Sequence, residues 1–140
     1  MKIAIGNDHG GLEFKEQIVS FLQDQGIEID DHGCNSSESV DYPDFARTVC
    51  AEVREGRCDR GILICGTGLG MSMAANRVSG IRAALCHEQF TARMSREHND
   101  ANVLCLGGRV IGPSLAVEIV RTWINTEFAG GRHQRRIGMF

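Results

Sequence analysis

Apolar and polar positions alternate between two rhythms along this chain. Short apolar runs at Lys2–Gly6, Ile27–Asp30, Gly61–Cys65, Ile81–Cys86 and Val103–Leu106 read as strands. Between them, apolar side chains recur at three- and four-residue spacing. Leu12, Phe14, Ile18, Val19, Phe21 and Leu22 form one such face, ending near Gly26, and Phe45, Val49 and Val53 form another within Asp44–Glu55, after Pro43. That spacing gathers apolar groups on one side of a helix. Thr67–Asn76, Gln89–Arg96 and Pro113–Thr126 are expected as further helices. Regular strand–helix alternation predicts an α/β fold: a three-layer αβα, Rossmann-like sandwich with a five-stranded parallel sheet. The 140 residues suit one domain, 1–140, with no internal repeat, and Asp31–Tyr42 is the longest irregular piece.

In open α/β sheets, ligands bind beyond the carboxyl ends of the strands, so the residues after each strand matter most. The first strand delivers Asn7-Asp8-His9-Gly10-Gly11, the third Cys65-Gly66-Thr67-Gly68-Leu69-Gly70, and the fifth Gly107-Gly108-Arg109. Alternate glycines after Cys65 let backbone N–H groups converge on an anion or on an oxygen becoming negative. A thiol between a strand end and a helix start is expected to favour its reactive thiolate. The plain alternatives are an inert buried thiol and glycines that only permit tight packing. Three familiar loops fit poorly. A Walker loop needs a lysine that is missing here, a cysteine-phosphatase loop needs an arginine where Met71 stands, and GxGxxG also ends on Met71. A nucleotide-binding redox module is therefore a weak alternative.

Composition narrows the classes. A net charge of −3 gives no overall field for nucleic acid, and no stretch is long enough to span a membrane. The basic residues are thirteen arginines but only two lysines, Lys2 and Lys15, and the one basic cluster is Arg132-His133-Gln134-Arg135-Arg136 after Gly130-Gly131. A solvated tail is the ordinary reading of such a run. Arginine is nevertheless suited to bidentate phosphate recognition, and the glycines let the chain bend. The six cysteines include no CxxC pair, so zinc and thioredoxin-type sites are disfavoured. Cys50, Cys86 and Cys105 lie in apolar surroundings and are expected to fill space. Met1–Gly6 enters a strand directly, and the expectation is a reduced, cytoplasmic protein.

His98 and Asn99 precede the fifth strand and so lie at its amino end, whereas Cys65 ends the third. A strand of five residues separates those edges by roughly 17 Å. If His98 and Cys65 serve one site, His98 comes most simply from a second subunit, which predicts a homodimer with sites across its interface. His9, flanked by Asp8 and Gly10, is expected exposed at the first strand's end; His32 and His87 have no obvious companions.

Several segments together resemble a known family: Gly6–Gly11, Asp41-Tyr42-Pro43, Ile64–Gly70, Ala74–Arg77, Gly80–Ala83, Arg96–Leu104 and Gly130–His133. The chain is similar, nearly end to end, to the type B ribose-5-phosphate isomerases, whose family also holds allose- and galactose-6-phosphate isomerases. The resemblance implies interconversion of ribose 5-phosphate and ribulose 5-phosphate, in the pentose phosphate pathway, without metal or organic cofactor. It implies Cys65 as the base at C2 and C1, His98 as the group that opens the furanose, and Thr67 as an aid to protons moving between O1 and O2. Asp8 would hold ring hydroxyls, Tyr42 would line the pocket, and the backbone of Gly66, Thr67, Gly68, Leu69 and Gly70 would hold the oxyanion. His9, Asn99, Arg109, Arg132 and Arg136 match the substrate contacts, the arginines chiefly at phosphate, within a C-terminal segment 127–140 for the last two. One branch of the family has a glutamate base where Met71 stands, which leaves Cys65. Allose 6-phosphate as substrate, a non-catalytic sugar-phosphate binder, and a tetramer built from dimers remain open readings.

Overall fold

All five expected strands form in the computed structural model, which describes residues 1–140. They are β1 (Lys2–Asn7), β2 (Glu28–Asp31), β3 (Arg60–Cys65), β4 (Ala83–Leu85) and β5 (Val103–Gly107). The helices are α1 (Leu12–Asp24), α2 (Tyr42–Arg54), α3 (Leu69–Ala75), α4 (Gln89–Glu97), α5 (Pro113–Asn125) and α6 (Arg132–Ile137), with a 3₁₀ turn at His9–Gly11. The sheet is parallel throughout, in the order β2-β1-β3-β5-β4. Chain direction across the sheet reverses between β1 and β3, which makes a crevice at their carboxyl ends.

Two-residue alternation assigns each strand side chain to one of two cores. Ile3, Ile5, Ile62, Ile64, Leu104 and Leu106 pack with α1 and α5, around the fully buried Trp123. Ala4, Leu63, Cys65, Val103 and Cys105 face the other way, against Val49 and Cys50 of α2 and Met71 and Ala75 of α3. Cys65 thus belongs to the α2–α3 face, and the αβα sandwich is the expected one.

Most element bounds shift by a residue or two from the sequence reading, and three differences have a clear physical cause. The third helix starts at Leu69, not Thr67, because Gly68 sits at φ 75° and interrupts helical geometry. β4 is shorter than Ile81–Cys86, since the Ile81 N–H closes a turn onto Val78 and the Arg82 N–H goes to the Asn102 side chain instead of a ladder partner. The basic cluster is not a loose tail: residues 132–137 form α6, anchored by the buried Ile137. A six-residue helix with one buried apolar side chain carries too little periodicity to be read from sequence.

Candidate active site

Three loops at the carboxyl ends of β1, β3 and β5 are stitched together by main-chain bonds. The Asp8 N–H donates to the Ile64 carbonyl at 3.1 Å, the Gly108 N–H to Cys65 at 2.8 Å and the Arg109 N–H to Gly66 at 2.9 Å. These bonds hold Cys65 at the centre, 5% exposed, with the Gly68 N–H donating to its Sγ at 3.1 Å. Gly68 can aim that amide only through its left-handed conformation, where a Cβ would also fall 2.4 Å from the Leu85 side chain.

Around the thiol, the other predicted residues take definite places. Asp8 is 6% exposed, and its Oδ1 accepts the Gly10 N–H at 2.8 Å, which caps the 3₁₀ turn and leaves Oδ2 outside that bond. His9 accepts the Val40 N–H at Nδ1, 3.4 Å away. The half-exposed Tyr42 ring lies over Gly70, where a Cβ would be 2.6 Å from the ring. Thr67 is exposed, its Oγ1 accepting the Leu69 N–H at 3.3 Å. The Arg109 guanidinium runs alongside Gly66, with Cζ 3.6 Å from a Cβ built there. Leu69 is half exposed beside them, whereas Met71 turns into the core.

His98, Asn99, Arg132 and Arg136 belong to a second group at the opposite edge. The segment after α4 reaches the start of β3, where Asn102 accepts the Gly61 N–H at 2.9 Å, while Cys65 lies at that strand's far end. His98 stacks on His133 with ring centroids 4.1 Å apart and planes 7° from parallel. The C-terminal segment is tied there by the Ala129 N–H, which donates to Glu97 at 3.0 Å. Burial, then the neighbouring charges of His98, Arg132 and Arg136, hold the His133 imidazole below its ordinary value. Arg132 and Arg136 are both exposed, one helical turn apart.

Sequence reasoning missed what builds this second group. Asp100 is the one non-glycine residue at positive φ, 46°, and two arginines hold it there. Arg82 reaches its Oδ2 at 2.9 Å, and the nearly buried Arg96 reaches its Oδ1 at 2.8 Å and the Ala101 carbonyl at 2.7 Å. Asp100 follows Asn99 directly, so this double pairing fixes the turn that presents His98 and Asn99. The clue in sequence is an Asp four residues after Arg96, but a helix-face pair and a shared turn anchor look alike there. A cavity of about 660 Å³ adjoins this group, lined by Arg82, Ser95 and Asn99, and does not reach Cys65.

Asp30, Glu52 and Cys58 bring one donor atom each within 4.8 Å of one another. Arg57 already pairs with Glu52 at 2.7 Å, and His32 and Lys2 with Asp30 at 3.2 and 3.8 Å. Arg57 and Lys2 balance the carboxylates, and the group lies away from Cys65. No helix is long and apolar enough to cross a membrane.

Fold and site together define a class: a parallel α/β sandwich with a thiol beside a glycine loop at the reversal point of its sheet. Residues 3–140 match the family model described as Ribose/Galactose Isomerase. A solved structure of Clostridium thermocellum ribose-5-phosphate isomerase B superposes with a TM-score of 0.98, at 59% identity, covering 99% of this chain and 94% of that one. Ribose-5-phosphate isomerase B of Escherichia coli is 51% identical, over 97% of this chain and 91% of its own. A 45% identical relative from Pectobacterium atrosepticum, matched over 94% of this chain and 87% of its own, is named D-erythrulose-4-phosphate isomerase. The chain belongs to the ribose/galactose isomerase family, and it is an isomerase of the sugar-phosphate kind.

Proposed function

We propose that this enzyme interconverts D-ribose 5-phosphate and D-ribulose 5-phosphate through an enediolate, with Cys65 as base. The observation that carries the reading is the Cys65 sulfur under the Gly68 amide, where loops from β1, β3 and β5 meet. In the aldose-to-ketose direction the thiolate takes the C2 proton, and the C2–H electrons form the C1=C2 bond of the enediolate. The same sulfur returns the proton to C1, and a proton passes between O1 and O2 with help from the Thr67 hydroxyl. A proton beside a carbonyl is weakly acidic, so the oxyanion must be stabilised as it forms. Amides of the Gly66–Gly70 loop other than that of Gly68, whose N–H is on the sulfur, serve that role, each such donor lowering the barrier by about 3 kcal/mol.

Binding energy comes from the far end of the sugar. Asp8 takes ring hydroxyls, Tyr42 walls the pocket, and His9 and Arg109 approach the phosphate from the same chain. His98 and Asn99, with Arg132 and Arg136, complete the site from a second copy, His98 protonating the ring oxygen to open the furanose. The two residue groups on opposite sheet edges support this division. Phosphate contacts then orient C1 and C2 at the sulfur.

The test is direct. Ribose 5-phosphate incubated with the protein in deuterated water gives ribulose 5-phosphate, with solvent hydrogen appearing at the reacting carbons. Cys65→Ala loses turnover by at least roughly a thousandfold, as loss of an essential base or nucleophile does, and still binds the sugar phosphate. An active Cys65→Ala enzyme would overturn the assignment. The four-carbon relative makes chain length the natural second question. Initial rates on four-, five- and six-carbon phosphates, allose 6-phosphate among them, rank the substrates. Binding without turnover of any of them would favour a sugar-phosphate sensor.

A further inference from the structure

Lys15 is one of two lysines in the chain, and it is buried, 4% exposed, on α1. A buried ammonium is costly unless its donors are satisfied. All its partners lie at the end of β2 and in the loop after it: Asp31 Oδ2 at 3.0 Å, the Cys34 carbonyl at 3.1 Å and Asn35 Oδ1 at 2.7 Å. The Cys34 carbonyl has a second buried donor, the fully buried Asn7, whose Nδ2 lies at 3.2 Å. The same Nδ2 also donates to the Asp8 carbonyl at 2.9 Å. One amide thus joins the loop to the residue that opens the site.

The orientation of that amide is enforced. Asn7 Oδ1 is buried without a hydrogen-bond partner, a state that ordinarily costs stability. Flipping the amide would instead aim this oxygen at the carbonyls of Cys34 and Asp8. Gly33 seals the other side, since a Cβ there would fall 1.8 Å from Oδ1. Beyond this anchor, residues 35–39 are exposed until the loop meets the site again. The Val40 N–H donates to His9 Nδ1, and two residues later Tyr42 lies over Gly70.

We propose that Lys15 and Asn7 form a two-donor clamp on the Cys34 carbonyl that seats His9 and Tyr42 for substrate, so that both are positioning residues. Held by Val40 at Nδ1, His9 carries its proton on Nε2, and the site meets that nitrogen as a fixed donor. Release of the clamp frees the loop, and with it the His9 tautomer and the Tyr42 wall. The kinetic side of this proposal rests on the sugar-phosphate reading above; the tautomer side does not.

The experiment compares the full-length protein with Lys15→Met, Lys15→Arg and Asn35→Ala. Histidine ¹⁵N spectra of the wild type show His9 with its proton on Nε2. Lys15→Met gives a mixture of tautomers and a KM for ribose 5-phosphate raised about tenfold, with kcat changed less than about threefold. Lys15→Arg restores both towards wild type, and the exposed Asn35→Ala shifts both in the same direction by less. A folded Lys15→Met protein with unchanged His9 signals and unchanged KM overturns the clamp. If Lys15→Met does not fold, Asn35→Ala decides by the same two readouts. Absence of turnover in the wild type would count against the substrate, while the His9 spectra would still judge the clamp.

Discussion

Six thiols share this chain, and their surroundings divide them. Burial pushes Cys50 and Cys86 up to about 11, the latter against opposing hydrogen bonds from Thr91 and Ser95, and raises Cys105 well above an ordinary thiol, because the anion loses hydration. A thiol titrating near 11 is ionised to only ~0.1% at pH 8, so these three should resist alkylation in the native protein. Cys65 instead has an amide hydrogen on its sulfur and sits, 5% exposed, where the loops after β1, β3 and β5 meet. Peptide mapping after iodoacetamide treatment at pH 8 should find Cys65 modified well before Cys50, Cys86 and Cys105, with ribose 5-phosphate slowing the reaction. Labelling of Cys105 ahead of Cys65 would remove the distinction on which the base assignment stands. The sequence singled out Cys65 because a strand, a thiol and three glycines follow one another. It gave no sign of which hydrogen would meet the sulfur, since that depends on the left-handed turn at Gly68.

Among the elements, α6 changed most between sequence and structure. Its arginines are expected at the phosphate, so Arg132→Ala or Arg136→Ala should raise KM by roughly ten- to a hundredfold, the worth of one charge-assisted contact, with kcat changed less. Steady-state kinetics on both variants check this, and an unaltered KM in both would assign the phosphate elsewhere. The stacking of His133 on His98 adds a pH dependence. His133 titrates below its usual 6.5 in the folded chain, so between that value and its lowered one the unfolded segment binds more protons. The docking of α6 is therefore strongest above 6.5 and weakens as pH falls through that window. The protection of the Ala129 amide, its exchange rate divided by the intrinsic rate at each pH, should fall over the same range, and His133→Gln should abolish that fall. The glycines before this cluster hinted at a bend; the stack that makes the bend matter joins residues 35 positions apart.

The whole molecule raises the question whether two residue groups at opposite edges of one sheet serve the single reaction proposed for them. A two-fold dimer answers it if each crevice receives His98 and α6 from its neighbour. Mixing inactive Cys65→Ala with inactive His98→Ala and allowing subunits to exchange should then restore activity. One site in each hybrid regains both groups, giving roughly a quarter of wild-type activity for random pairing. No recovery, or an active monomer in light scattering, would rule this arrangement out. The order of apolar and polar residues was enough to determine five strands, their parallel sense, most helices and the carboxyl-edge loops, because those follow from local periodicity and short connections. Only the tertiary structure decided the rest: Asp100 shared between Arg82 and Arg96, the Lys15–Asn7 clamp, and the stack of His98 on His133. Each depends on residues brought near by folding, and no spacing along a chain encodes that.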